Sequence, residues 1–162
     1  MNAPCVIHAS SRNVSYFKEL NCEQYFCLVG NEGNRLKQNY GDLGGFNGVC
    51  ILPPYPRKMG SVIPEAISKQ CYELKHVNFT NRICDAHTSL ALQAAKELGF
   101  EKAFIIGYDG YSNHSLNLKE QELYVENEAL FEDAVNSGLE LISLTRTRYE
   151  KLEQGSIYSM VK

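Results

Sequence analysis

Residues 85–112, DAHTSLALQAAKELGFEKAFIIGYDGYS, decide how this chain is read. In order they predict a helix, a tight turn, a strand and a polar loop. Thr88 and Ser89, just after His87, carry hydroxyls that can cap a helix start. Leu90, Ala91, Ala94, Ala95 and Leu98 then recur on one face at helical spacing. Gly99 can take the left-handed conformation that ends a helix. Residues 103–106 (AFII) are a continuous apolar run, which suits a parallel strand covered by helices on both faces. Residues 107–112 (GYDGYS) follow at the strand exit, the edge where open α/β sheets bind ligands.

Working outward, composition narrows the class. With 162 residues, 44% hydrophobic and 22% charged, the chain is predicted to be a single globular domain spanning residues 1–162. Its net charge of −3 gives no electrostatic reason to expect nucleic acid or an anionic membrane as partner. No apolar run approaches the roughly 20 residues that span a bilayer. The N-terminus lacks a basic segment followed by an apolar signal core, so a cytoplasmic location is expected. Of the six cysteines, Cys5, Cys27 and Cys50 sit in apolar strand-like runs, and no two have C-x-x-C spacing. They read as structural thiols, and no metal site is expected.

Before the central stretch, residues 4–9 (PCVIHA) predict a strand leaving through Ser10, Ser11, Arg12 and Asn13, and residues 14–20 a brief helix. Residues 25–29 predict a second strand, followed by Gly30, Asn31, Glu32 and Gly33 and then a loop around a short helix up to residue 47. A third strand is expected over 48–52, stopped by Pro53, Pro54 and Pro56. A short helix over 61–68 and a fourth strand over 74–79 follow. Beyond the central stretch come an amphipathic helix over 117–137, a strand over 139–144, a helical turn over 149–154 and a terminal strand or tail over 157–161. Strands alternating with helices predict an α/β fold: a Rossmann-like, mostly parallel, doubly wound sheet of about six strands, with helices on both faces.

That topology gathers residues 10–13, 30–35, 109–114 and 145–148 along one edge, with Ser10, Ser11, Thr88 and Ser89 at helix starts and Arg12, Arg35 and Arg146 as possible countercharges. Helix N-termini with small hydroxyl residues beside them can cradle phosphate, and the arginines can supply countercharge. The same residues serve equally as ordinary N-caps and solvated arginines. Gly30-x-x-Gly33 is not a dinucleotide fingerprint, and a Walker lysine is absent. His8, inside a strand, reads as a core histidine; His114, five residues past Asp109, is the best-placed general acid or base. Asp109 either accepts a ribose hydroxyl, orients an imidazole or caps its own turn. Tyr111 and Tyr149 either stack on a base or seal the core.

Residues 106–112 (IGYDGYS), Asn127-Glu128 and residues 144–149 (LTRTRY) resemble the region C-terminal to the barrel in bacterial 4-hydroxy-2-oxovalerate aldolase and HMG-CoA-lyase-like proteins. The resemblance runs from about Cys5 to Tyr149; Arg146 stands where that family has proline, and the family's glycine-rich first turn is not found. In that family a TIM barrel carries the aldol chemistry on a divalent metal held by H-x-H and an aspartate, and this sequence has no H-x-H. The resemblance therefore implies an accessory domain of an aldolase-class lyase, with the barrel domain as partner and without the metal site. Independently of the resemblance, the clustered polar residues at the strand exits predict that the domain holds a nucleotide or other phosphorylated ligand through Ser10, Ser11, Arg12, Asn31, Thr88, Ser89, Asp109, Tyr111, Ser112 and Arg146. A weaker resemblance links Thr88-Ser89, residues 98–100 (LGF) and residues 106–109 (IGYD) to bacterial sialyltransferases that use a CMP-sugar. It implies a nucleotide-sugar transferase with hydroxyls at the nucleotide phosphate and His114 as catalytic histidine. A docking or dimerisation domain, present as a homo-oligomer, is the third reading.

Overall fold

The computed structural model describes residues 4–111 and 115–159. Within them lie β1 (Cys5–His8), β2 (Glu23–Cys27), β3 (Val49–Leu52) and β4 (Cys71–Glu73), hydrogen-bonded in the order β1-β2-β3-β4. A second sheet follows the order β5 (Lys102–Ile105), β6 (Glu140–Ser143), β7 (Glu153–Gln154). All five strand pairings are parallel. The architecture is α/β, with two parallel sheets where the sequence pattern predicts about six strands in one. The chain divides the same way, into compact units Met1–Glu97 and Leu98–Lys162. That boundary cuts the 85–112 stretch: its helix, α2 (His87–Glu97), belongs to the first unit and its strand, β5, to the second.

In the first unit, parallel neighbours in sequence order require each connection to cross back over the sheet. Those connections are a 3₁₀ turn at Val14–Phe17, α1 (Glu32–Tyr40) with a 3₁₀ turn at Leu43–Gly45, and a 3₁₀ helix at Glu65–Gln70. Side chains alternate along the strands, so β2 and β3 feed two cores. Phe26, Leu28, Cys50 and Leu52 pack with Val14, Leu36, Leu43, Phe46 and Ile67 from the connections. Cys27, Val29 and Ile51 pack with Leu90 and Ala94 of α2. The sheet thus has helix on both faces, each buried large side chain contributing about 1.5–3 kcal/mol. His8 is buried, stacked on Phe26 at 4.5 Å and bonded to Gln24 at 2.9 Å, and burial lowers its pKa.

In the second unit, α3 (Leu118–Asn136) opens on a complete capping box. The Asn117 side chain accepts from the Glu120 backbone N–H, and the Glu120 side chain accepts from that of Asn117. It buries Leu130, Phe131 and Ala134. The expectation that residues 103–106 are covered on both faces is not met: Phe104 is 45% and Ile106 60% exposed. Alternation turns Phe104 away from the face that buries Leu141 and Ser143 of β6.

One local expectation is also corrected and two are refined. The fourth strand is Cys71–Glu73, not 74–79, because the preceding 3₁₀ helix delivers Cys71 directly opposite Cys50. The helical turn expected over 149–154 closes at Leu152, whose N–H bonds Tyr149 O at 3.3 Å, and gives way to β7 where Glu153 and Gln154 pair with Ile142 and Ser143. Of the terminal strand or tail expected over 157–161, Ile157–Ser159 is a 3₁₀ turn, and residues 160 and 161 lie outside the described residues. All six cysteines are free thiols. Among the described residues, no helix is long and apolar enough to cross a membrane.

Candidate functional site

The first unit's cluster is assembled where β1 and β2 end. The chain leaves β1 through Ser10, Ser11 and Arg12, and leaves β2 through Gly30 into α1, whose first residue is Glu32. Gly33 is a glycine for a steric reason: a Cβ there would lie 1.9 Å from the Val62 carbonyl oxygen. The segment around Val62 is tied down by its N–H to Gly30 O at 2.9 Å and by Ser61 Oγ to Leu28 O at 3.2 Å. The Gly30-x-x-Gly33 spacing therefore serves a close backbone approach.

Glu32 is the centre of the cluster and is 2% exposed. Its Oε2 accepts the Ser11 backbone N–H at 2.6 Å. Its Oε1 pairs with the Arg35 guanidinium one turn along α1 and lies 3.4 Å from His87 Nε2, on the first residue of α2. Burial alone would raise the Glu32 pKa. The contacts from His87, the Ser11 N–H and Arg35 outweigh it and hold the carboxyl below its ordinary value. Glu32 is thus an internal anion at the first residue of α1. The 3.4 Å contact is an ion-pair distance without hydrogen-bond geometry, so His87 Nε2 is buried with no hydrogen bond.

The predicted site residues of this unit take different parts. Ser11 is 1% exposed, and its Oγ has no hydrogen-bond partner. Ser10 is exposed and its Oγ accepts from Arg12 N at 3.3 Å. Arg12 is exposed and makes no ion pair among the described residues. Asn31 precedes α1 but does not cap it; its Oδ1 accepts from Asn34 Nδ2 at 2.7 Å. Thr88 and Ser89 are buried. Ser89 Oγ donates to Ala86 O at 2.8 Å and accepts Ala86 N–H at 3.0 Å, so it closes the start of α2 from within. Sequence reasoning placed residues 30–35 at this edge but gave Glu32 no role. The available signal for Glu32 was an acid at the exit of the strand after Ser11 in a parallel alternation.

The second unit's cluster is held by its own backbone. Asp109 Oδ1 accepts Tyr111 N–H at 3.0 Å, the turn-capping alternative, with Tyr111 at φ 58°. Asp109 O accepts Arg148 N–H at 3.1 Å, and Thr147 Oγ1 donates to Tyr108 O at 2.6 Å. Gly110 has φ 72°, and a Cβ on it would meet Arg148 Cβ at 3.0 Å. Tyr149 is buried among Tyr108, Tyr124 and Phe131, stacked on Tyr124 at 4.9 Å, and burial pushes its hydroxyl up to about 12. Glu128 is raised by burial first, and its Oε2 is buried with no hydrogen bond. Arg146 is exposed. Ser112 and His114 lie outside the described residues. The structure therefore brings Ser11, Glu32, Arg35 and His87 together in one unit, and Asp109 and Tyr111 with residues 145–149 in the other. Compared with protein-family models, with curated proteins and with solved structures, the chain matches none significantly.

Proposed function

We propose that the chain is a small-molecule-binding domain that holds a nucleotide or other phosphorylated ligand at the C-terminal edge of the β1–β4 sheet. The observation that carries this reading is the reach of Glu32. One buried carboxylate draws the exit of β1 and the first residues of α1 and α2 to a single point at that edge. Arg12, next in sequence to Ser11, is exposed and without an ion pair among the described residues, and α1 begins without a side-chain cap. A phosphate has countercharge at Arg12 and peptide N–H donors at the uncapped helix start. Glu32, already saturated by Ser11, Arg35 and His87, acts as an internal strut and not as the ligand's counterpart.

The resemblance of residues 106–112 and 144–149 to the region beyond the barrel of aldolase-class lyases supports an accessory role beside such a barrel. On this reading the aldol chemistry belongs to the barrel, and the domain described here binds without making or breaking bonds.

The test is a thermal-shift screen of the chain with nucleotides, nucleotide-sugars, phosphorylated metabolites and inorganic phosphate. A ligand at about 100 times its dissociation constant adds roughly 2.7 kcal/mol, and each kcal/mol moves the midpoint by about 2–4 °C at this size. The expected result is a clear shift that shrinks in Arg12→Ala. No shift with any compound overturns the proposal.

A further inference from the structure

Two of the free thiols face each other across the β3–β4 pairing. Cys50 of β3 and Cys71 of β4 are direct partners in the parallel register. Directly opposite residues on neighbouring strands send their side chains to the same face. Cys71 accordingly packs against the core cluster that contains Cys50. The Cys50 thiol donates a hydrogen bond to Cys71 Sγ, and the Cys71 thiol donates to Ile67 O at 3.3 Å. Burial raises both thiols above their ordinary value, while the bond between them favours the proton on Cys50 and the ionised form of Cys71. The two also differ in access. Cys50 is fully buried, whereas Cys71 is half-buried on a three-residue strand at the edge of its sheet.

A reachable thiol in contact with a buried one is the arrangement of an attacking and a resolving cysteine. Paired strands lie about 4.8 Å apart, within the roughly 4.4–6.8 Å between Cα atoms that a disulfide spans. That spacing exceeds the ~3.8 Å usual between the Cβ atoms of a disulfide, so closing the bond must draw β3 and β4 together. A bridge closed against such resistance is easily reduced, as labile disulfides are and structural ones are not. We propose that Cys50 and Cys71 form a two-thiol redox site that exchanges reversibly with small-molecule disulfides. In the first step the Cys71 thiolate attacks one sulfur of the small disulfide. A mixed disulfide forms on Cys71, and one small thiolate leaves and takes up the proton that Cys71 released. In the second step Cys50 releases its proton and attacks Cys71 Sγ, and the second small thiolate leaves and takes up that proton. Two cysteine thiols are oxidised to one bridge, and one small disulfide is reduced to two thiols. The bridge staples the edge strand β4 to β3, a function separate from the binding of a phosphorylated ligand.

The experiment incubates the reduced, folded full chain with glutathione disulfide at about pH 8.5, where more of Cys71 is ionised. Remaining thiols are then blocked with N-ethylmaleimide, and the chain is digested and mapped by mass spectrometry. The expected result is a linked peptide joining Cys50 to Cys71, which disappears when reduced glutathione is added in excess. Cys50→Ala removes the resolving thiol, so Cys71 is expected to keep its glutathionyl group, at roughly tenfold or more the level seen in the wild-type chain. In Cys71→Ala the buried Cys50 is expected to stay unmodified. Circular dichroism confirms that each variant is folded, and the wild-type map alone decides the matter if one is not. A wild-type chain in which Cys71 remains a free thiol, or holds glutathione without passing it to Cys50, overturns the proposal. So does a Cys50–Cys71 bridge that forms only in urea, or one that reduced glutathione fails to open.

Discussion

Replacing Glu32 by glutamine tests the central claim about the first unit, that a buried, ionised carboxylate ties β1 to the starts of α1 and α2. The bond from Ser11 N–H to Glu32 Oε2 is charge-assisted and fully buried, a class worth about 1.5–3 kcal/mol. The Arg35 and His87 side chains are 42% and 40% exposed, so solvent screens their pairing, and each adds about 0–1 kcal/mol. Glutamine keeps an oxygen for Ser11 N–H but loses the charge, so Glu32→Gln is expected to cost about 1–2 kcal/mol at neutral pH. Alanine orphans that N–H as well and is expected to cost about 3–4 kcal/mol. The pH dependence gives the sharper test. Because the folded-state pKa of Glu32 is depressed, its stabilisation is present above the unfolded carboxyl value and is lost as pH falls through the folded one. The gap between wild type and Glu32→Gln is therefore expected to close progressively as pH falls from the ordinary carboxyl range through the lower folded-state value. Urea titrations followed by far-ultraviolet circular dichroism measure it. All six cysteines lie in the first unit, with Cys27 and Cys50 fully buried, so pulsed thiol labelling at neutral pH assigns the transition to that unit. A gap of equal size at neutral and acid pH refutes the ionised-strut argument. So does a Glu32→Gln variant as stable as wild type at neutral pH.

Four other substitutions probe the rest of the chain by urea denaturation. Gly33→Ala places a methyl group 1.9 Å from the Val62 carbonyl oxygen, which backbone alone can relieve; a loss of about 2–3 kcal/mol is expected. Thr147→Val removes the bond to Tyr108 O and the acceptor for Tyr149 N–H, and a loss of about 1 kcal/mol is expected. Asp109→Ala removes the acceptor for Tyr111 N–H and is expected to lower stability with no effect on ligand affinity, as measured by titration. Glu128→Gln is expected to stabilise the chain at neutral pH. The folded-state pKa of Glu128 is raised, so its ionised form is penalised as pH rises through that value, and the gain vanishes below the unfolded carboxyl pKa.

The alternation of strands and helices, and with it the parallel α/β class, was legible in the residues alone. Local chemistry suffices for that. Apolar runs such as 103–106 need pairing, and Leu90, Ala91, Ala94 and Ala95 repeat at helical spacing before Gly99, which turns with φ 78°. Three features needed the tertiary structure. The fourth strand fell at Cys71–Glu73 because a three-residue strand is defined by what it pairs with, and its own pattern is mostly exposed. The exposed face of β5 was hidden because AFII reads the same whether one side of the sheet is covered or two. Glu32 was invisible as a site because, in the sequence, it is one more acid in a glycine-bearing loop. Its chemistry is created by partners that only folding delivers: a peptide N–H from the previous strand's exit and an imidazole from the start of a helix on the opposite face of the sheet. Short-range pattern records how each segment buries its own surface; it holds no record of which distant dipoles will converge on one buried charge.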